Sequence, residues 1–295
     1  MATIHQIAGN FSLPVDGRGG DTRSGKLVVG TSIGGYETIQ AAVNAAAQGD
    51  TIFVQPGTYT ENITVTTDYI TIVGAQFGGY GYPDIVATAG GAALTVSAQG
   101  FVAKRCRFVT EDTDAVIQEG NGFRYEDCVF DGGNSEAVTE GLLRLKGNAD
   151  DDSFTASEGK IVNCLFRGSA GFAVAFDTGD APGNGVGSTH CVLDECRFID
   201  NTGADLQTLD TGGGVYSVQD VVIKRCYFAE PKNKATWIDF TTANGGAAGD
   251  QTGMIADCYF NDDTVDTTAI AIVGTGVGVV GCHSMDGEFD GSGLD

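Results

Sequence analysis

One short motif occurs seven times along the chain and constrains the fold more than any other feature. Its first copy is Lys104-Arg105-Cys106-Arg107-Phe108, in which a phenylalanine follows the cysteine by two residues and a mostly apolar residue precedes it by three. The last copy keeps the cysteine and loses the aromatic residue. The seven cysteines are Cys106, Cys128, Cys164, Cys196, Cys226, Cys258 and Cys282. Each copy predicts a short strand, a polar corner and a second strand whose Cys and Phe side chains point the same way.

The repeat predicts a solenoid, because one unit cannot bury its apolar face until a neighbouring unit stacks on it. Successive cysteines lie 22 to 36 residues apart, and a β-solenoid absorbs such uneven spacing in loops at its corners. The 45 glycines suit sharp corners, and the scarcity of proline, with 5, leaves strand N–H groups free to pair. We therefore predict an all-β fold, a single-stranded right-handed parallel β-helix with a column of Cys and a column of Phe inside it.

The chain divides into three predicted parts. Residues 1–35 carry little periodicity and are expected to form an N-terminal arm or irregular cap, with a lead-in strand of the solenoid as the alternative. Residues 36–285 form the parallel β-helix domain, and residues 286–295 form an acidic C-terminal tail. Corner loops, where a solenoid would carry a binding function, are predicted at residues 147–157, 178–189, 201–214 and 241–252.

A short capping helix is predicted at the start of the β-helix domain. It covers Tyr36 to Ala47, with Ile39, Val43 and Ala46 on one face. Its C-cap is expected in Gln48-Gly49-Asp50, at the glycine. A helix here would cover the open end of the solenoid and shield an exposed strand edge.

Acidic residues dominate the charge, with 39 Asp and Glu against 16 Lys and Arg and a formal net charge of −23. Nucleic acids and anionic membranes are bound by clustered cations, so neither is an expected partner. No run of 18 apolar residues predicts a transmembrane helix, and the N-terminal stretch has neither the basic nor the apolar region of a signal peptide. We therefore expect synthesis in the cytoplasm.

The cysteines are predicted to be buried and reduced. Eight cysteines could form four disulfides, but seven share one place in the repeat, and Cys191 lies at an inward position five residues before Cys196. Without a secretory signal, thiols acting as small hydrophobes are the better interpretation. No CxxC pair points to zinc. His190 precedes Cys191, but neighbours in a strand face opposite ways, so no thiol–imidazole pair is expected.

Several stretches resemble the pectin-lyase-like β-helix superfamily, and most closely its pectinesterase branch. They are Thr38–Val43, Gly49–Ile52, Pro56–Ile63 and Leu94–Ala103, followed by Cys106-Arg107-Phe108. The resemblance covers roughly residues 36–176 and implies the parallel β-helix fold. The matching residues are capping and packing positions, so they imply nothing about the chemistry.

The resemblance also implies where catalytic groups would stand. Pectinesterases act through a nucleophilic aspartate and an acid/base aspartate, with glutamines that hold the oxyanion and an arginine that positions one carboxylate. Position by position, the earlier glutamine falls at Asp114, the Gln-Asp pair at Asn134 and Ser135, and the nucleophile at Gly171. The nearest counterpart of the Arg-Pro-Trp segment is residues 234–237. Since glycine supplies no nucleophile, we expect no enzyme of this type, no catalytic residues and no cofactor.

Carboxylate clusters give no strong metal candidate. Asp150–Asp152 and Asp262-Asp263 are consecutive, so their side chains would alternate between opposite sides, and solvated loops are the preferred interpretation over a calcium site. Asp177 with Asp180 and Asn184 is a better oxygen cluster, but it lacks the spacing of a calcium-binding loop.

Acidic, cysteine-laddered β-helices without catalytic residues resemble structural proteins of bacteriophage particles. We expect a capsid decoration (cement) protein, a homotrimer in the virion whose partner is the major capsid protein or another virion protein. A tail spike or other glycan-binding module is the alternative, with a surface glycan as its partner, and a carbohydrate-active enzyme is a third. Candidates for the exposed aromatic row that a glycan binder needs are Tyr80, Tyr82, Trp237 and Tyr259, although packing explains aromatics more often.

Overall fold

The structure, a computed structural model, describes residues 26–30, 35–75, 81–111, 113–132, 141–147, 156–177, 186–209, 216–229, 236–240, 251–261, 270–272, 276–284 and 287–288. Within these ranges the chain forms one short helix, α1 (Ile39–Ala45), and 30 strands. The strands make three long sheets and one short one. None of the described helical structure is long and apolar enough to cross a membrane.

Sheet A has ten strands, all parallel. They are β1 (Lys26–Val29), β2 (Thr51–Val54), β5 (Thr71–Gly74), β8 (Val102–Lys104), β11 (Arg124–Glu126), β14 (Lys160–Val162), β18 (Val192–Asp194), β22 (Val221–Lys224), β25 (Thr252–Ala256) and β28 (Gly276–Val280).

Sheet B also has ten strands, of which only the last runs antiparallel to its neighbour. They are β3 (Thr58–Thr60), β6 (Asp84–Val86), β9 (Arg107–Val109), β12 (Val129–Asp131), β15 (Leu165–Arg167), β19 (Arg197–Ile199), β23 (Tyr227–Ala229), β26 (Tyr259–Asn261), β29 (His283–Ser284) and β30 (Gly287–Glu288).

Sheet C has eight parallel strands, and sheet D has two. Those of sheet C are β4 (Ile63–Val65), β7 (Leu94–Val96), β10 (Val116–Gln118), β13 (Leu143–Lys146), β16 (Val174–Asp177), β20 (Leu206–Leu209), β24 (Ile238–Phe240) and β27 (Ile270–Ile272). Those of sheet D are β17 (Val186–Thr189) and β21 (Tyr216–Gln219).

The chain passes through sheets A, B and C in turn, and each strand pairs with the equivalent strand of the next coil. This is the predicted right-handed parallel β-helix. The predicted polar corner between sheets A and B is confirmed: the residue before each repeat cysteine takes a left-handed conformation, for example Arg105 with φ 55°, Asp127 with φ 56° and Gly281 with φ 63°. This conformation lets the backbone turn sharply between two strands that pack on the same core.

The predicted Cys and Phe columns lie inside the solenoid. All seven repeat cysteines and the six phenylalanines that follow them are buried, and the rings of Phe130, Phe166, Phe198 and Phe228 stack with centroids 4.5, 5.0 and 4.8 Å apart. Neighbouring rings are within 8° of parallel. In-register parallel pairing places like on like, so one repeated residue becomes a continuous stack.

All eight cysteines are free and buried, as predicted. Their thiols donate to backbone carbonyls; Cys196 Sγ, for example, lies 3.4 Å from the carbonyl oxygen of Ile161 in the preceding coil. Burial raises the pKa of Cys191 to about 12. Burial also raises the pKa of the column thiols Cys106, Cys164 and Cys226, so these three pack as neutral, weakly hydrogen-bonding side chains.

Helix α1 is shorter than predicted and ends differently. It starts after the N-cap Thr38, whose side chain accepts a hydrogen bond from Ala41 N, and its first N–H groups donate to the carboxylate of Glu61. The C-cap is Ala46 and not the predicted glycine. Gly49, with φ 87°, belongs to the following turn, because its left-handed conformation is needed there. The helix still packs on the first coils, with its apolar face in the core.

Strands lie in three segments for which the sequence predicted an arm or a loop. Strand β1 lies inside the segment 1–35 and pairs with β2, which is the lead-in strand given as the alternative for that segment. Two predicted loops contain strands: β17 lies in 178–189 and β20 in 201–214. Strand β20 was missed because a polar residue, Thr208, takes one of its inward positions.

Candidate functional site

The outer side of sheet C holds the positions at which the family resemblance implies catalytic groups. Asp114 lies two residues before β10, and Gly171 lies three residues before β16, so both stand where the chain enters this sheet. Asn134 and Ser135 fall outside the described residues. Within the described residues, the candidate site therefore consists of Asp114, Gly171 and the side chains around them.

Asp114 belongs to a buried cluster of two carboxylates and one guanidinium. Arg144, in the middle of β13, places its Nε 2.7 Å from Asp177 Oδ2 and its Nη1 3.4 Å from Asp114 Oδ2. The side chains of Asp114 and Asp177 are 1% and 0% exposed, and that of Arg144 is 15% exposed. The three residues come from three successive coils, so the charged hydrogen bonds tie these coils together.

This arrangement suits a structural clamp better than a reaction centre. A nucleophile or general base must reach a bound substrate, whereas both carboxylates are closed off from solvent and held by Arg144. Charged groups this deeply buried are retained only when they are paired, and removing one partner is costly.

Gly171 contributes backbone packing. Its carbonyl oxygen accepts a hydrogen bond from Gly203 N at 2.9 Å, which joins the entries of β16 and β20. A Cβ atom at Gly203 would lie 2.5 Å from the same oxygen, so the two coils approach each other more closely than a larger residue allows. The position that the resemblance gives to a nucleophile is thus part of a tight coil contact.

A second buried ion-pair network lies on the outer face of sheet B. Asp131 is 4% exposed in its side chain and accepts hydrogen bonds from Arg107 Nη2 at 2.7 Å and from Arg167 Nε at 2.8 Å. Arg107 also lies 3.4 Å from Asp84. This network too crosses successive coils and is satisfied by the chain's own groups.

The aromatic candidates for a glycan platform mostly fail the exposure test. Trp237 is buried against Phe260, and Tyr82 is partly buried. Tyr80 lies outside the described residues. Tyr259 is 38% exposed, and its ring stacks on that of Tyr227, with centroids 5.6 Å apart and planes within 2°. Each of these two rings therefore covers one face of the other.

The described part of the chain contains no assembled site for metal binding or for thiol catalysis. No group of three or more His, Cys, Asp or Glu side chains there could hold a metal ion. The acidic runs at residues 150–152 and 262–263 lie outside the described ranges, and Asp177 is paired with Arg144. His190 is exposed at a corner, 3.3 Å from Asp220, while Cys191 is buried, so the two form no thiol–imidazole pair.

Sequence reasoning missed Arg144 and Tyr227. Arg144 sits in the run Leu142-Leu143-Arg144-Leu145, and strand alternation could have placed it on the outer face opposite Leu143 and Leu145. Tyr227 and Tyr259 each follow a repeat cysteine directly, so alignment on the cysteines would have put them in one column.

Comparisons with known proteins agree with this architecture. No protein-family model matches the sequence, and no curated protein matches it. Among solved structures, the pectin methylesterase of Aspergillus niger is similar at a TM-score of 0.58 and 16% identity, over 93% of this chain and 90% of that one. An alginate lyase from Paenibacillus sp. str. FPU-7 is similar at 0.56 and 11% identity, over 89% and 96%. ORF18 of Geobacillus virus E2 is similar at 0.58 and 14% identity, over 83% of this chain and 48% of that one.

The shared feature is the β-helix. At these identities the likeness shows the fold alone.

Proposed function

We propose that the chain is a non-catalytic structural protein of a bacteriophage particle, and that it decorates the capsid as a cement protein, as a homotrimer that contacts the major capsid protein. The observation that carries this proposal is the state of two positions to which the family resemblance assigns reactive groups. Asp114 is buried in an ion pair with Arg144, and Gly171 has no side chain to react. The fold is shared with a viral protein, ORF18 of Geobacillus virus E2, which is consistent with a phage β-helix protein.

The packing of the coils supports a load-carrying scaffold. Stacked phenylalanines, buried thiols and two buried ion-pair networks connect one coil to the next through most of the described chain. In each of these contacts, polar or aromatic side chains hold neighbouring coils together. A protein that reinforces a lattice needs such stiffness and needs no reaction centre.

Counting copies in purified virus particles tests this proposal. Quantitative mass spectrometry with isotope-labelled peptides would give the number of these chains per major capsid subunit. We expect a ratio near one, or on the order of one third, because a decoration protein follows the symmetry of the lattice. A few to some tens of copies per particle would indicate a location in the tail and would favour the glycan-binding tail spike. Absence from particles would refute the virion role.

An activity assay tests the remaining alternative, a carbohydrate-active enzyme. The purified chain would be incubated with methyl-esterified pectin and with alginate, and the Aspergillus niger esterase and the Paenibacillus lyase would serve as positive controls. We expect no release of methanol from pectin and no new chain ends in alginate. Turnover that disappears on Asp114→Asn would overturn the non-catalytic proposal.

A further inference from the structure

The phenylalanine column inside the solenoid stops one coil before the described chain does. Phe228 and Phe260 stack with their ring centroids 4.8 Å apart, but the strand register pairs Phe260 with Ser284 in the next coil. Beyond β29 the described chain adds only β30, in which Gly287 lies opposite Ser284. Two small residues in succession therefore stand where the column would need a ring, and they are too small to fill the space beyond Phe260.

The core is nevertheless closed at this end. Phe260 and Cys282 are both fully buried, although Cys282 is the last cysteine of its column. Cys282 Sγ lies 3.7 Å from the carbonyl oxygen of Ile255, so its thiol is directed back toward the preceding coil. A further group must therefore cover Cys282 from the side that faces away from the preceding coils.

The hairpin of β29 and β30 indicates which residue stands there. Its antiparallel register pairs His283 with Glu288, and continuing that register by one residue places position 289 opposite Cys282. Residues that are opposite each other in an antiparallel pair project from the same face of the sheet. Cys282 projects into the core, so the residue at position 289 faces the core as well. That residue is a phenylalanine, Phe289.

We propose that Phe289 docks on the open end of the solenoid core and takes the place of the phenylalanine that the last coil lacks. Phe289 and the residues after it lie outside the described residues, so its position is inferred from the register of the hairpin. Residues on one face of a strand are two positions apart, about 6–7 Å. A ring at position 289 can therefore extend over Ser284 and Gly287 toward Phe260.

The residues that follow Phe289 suit the outside of a cap. They are small or acidic, beginning with Asp290-Gly291-Ser292-Gly293. The terminal units of solenoids need a polar outer face, because an open apolar end or a free strand edge associates with other chains. A cap built from Phe289 would remove this end of the solenoid as a contact surface. This inference stands independently of a role in a virus particle.

Disulfide trapping tests the position of residue 289 on the whole chain. Phe289→Cys puts a thiol opposite Cys282. Oxidation by diamide, which is itself reduced to the hydrazine, is expected to join the two sulfurs with loss of both thiol hydrogens. The matched control is Asp290→Cys, the same new residue one position further along, on the opposite face of the strand, and we expect no bond from it to Cys282. Mass spectrometry of the peptides would identify the bond.

Iodoacetamide labelling tests whether the ring itself closes the end. In Phe289→Ala, alkylation of Cys282 is expected to become at least about tenfold faster than in the wild type, because loss of the buried ring favours local opening. Cys106, in the first coil of the column, should keep its wild-type rate. The matched control is Leu294→Ala, which removes another large apolar side chain of the same segment and is expected to change the rate less than about twofold.

Each result decides for or against the cap. A disulfide that forms from position 290 and not from 289, or labelling of Cys282 that Phe289→Ala leaves unchanged, would overturn the proposal. A rise in labelling that Cys106 shares equally would show a general loss of stability and refute a cap confined to the last coil. If Cys282 of the wild type were shielded only at high protein concentration, a second copy and not Phe289 would cover this end.

Discussion

Replacing Phe198 by alanine tests how far the stacked phenylalanines hold successive coils together. Phe198 is fully buried, and its ring stacks on Phe166 at 5.0 Å and on Phe228 at 4.8 Å. Burial of the ring contributes about 1.5–3 kcal/mol, and each of the two aromatic pairs adds about 0.5–1.5 kcal/mol. The total agrees with the loss of about 3–5 kcal/mol that Phe→Ala substitutions in cores cause. We expect a value in that range, because strands on both sides keep the cavity from collapsing.

Urea unfolding provides the assay, with two probes that see different parts of the chain. The chain has one tryptophan, Trp237, which is buried against Phe260, so its fluorescence reports on the C-terminal coils. Far-ultraviolet circular dichroism reports on all coils. Because solenoid stability is a sum of local terms and couplings between neighbours, noncoincident transitions would indicate that the coils unfold in stages.

The matched control is Phe198→Leu, which keeps an apolar side chain and loses both stacked pairs. It is expected to cost about 1–3 kcal/mol, less than alanine, because it leaves a smaller cavity. A loss below about 1 kcal/mol for Phe198→Ala would refute the conclusion that the column carries a large share of the packing energy.

Two further predictions address the buried polar groups. Arg144→Ala leaves two buried carboxylates without their shared cation and is expected to lower the free energy of unfolding by about 3–5 kcal/mol. Arg144→Lys is expected to restore part of this lost stability. A loss as small as that from replacing an exposed arginine would mean that the carboxylates reach water. Iodoacetamide at about pH 8 is expected to label none of the eight cysteines in the folded protein and all of them in urea, counted by intact mass. Raising the pH to about 9 should not change this, because all eight thiols are buried away from the reagent, and burial raises the pKa of Cys106, Cys164 and Cys226 well above the ordinary value and that of Cys191 to about 12. Labelling of the folded chain would contradict the buried column.

The helix and one strand show where sequence patterns mislead. The amphipathic pattern predicted a helix from Tyr36, but the helix begins at Ile39. The carboxylate of Glu61, 22 residues along the chain, accepts a hydrogen bond from the N–H group of Ile39 and so caps the helix at this residue. Strand β20 was predicted as part of a loop, because its inward Thr208 breaks the apolar alternation. Both outcomes depend on contacts with other coils, which a local pattern does not contain.

The candidate site was still harder to predict. Arg144 and Asp114 are 30 residues apart, and Arg144 and Asp177 are 33 apart. Loops of uneven length separate the coils, so sequence spacing alone cannot say which residues become neighbours in a column. Alignment on the cysteines works for the Tyr227–Tyr259 pair because both lie next to the motif itself.

The sequence by itself determined that this chain stacks coils, and which residues line the interior, because a repeated Cys-x-Phe motif can bury its side chains only against copies of itself. It also determined that the thiols are reduced core residues. Only the tertiary structure decided what the outward residues do. Register between coils brings Arg144 onto two buried carboxylates and leaves Arg197 without a partner in the described chain. Outward positions away from the motif carry no repeat of their own, so their pairing emerges only when the coils are stacked.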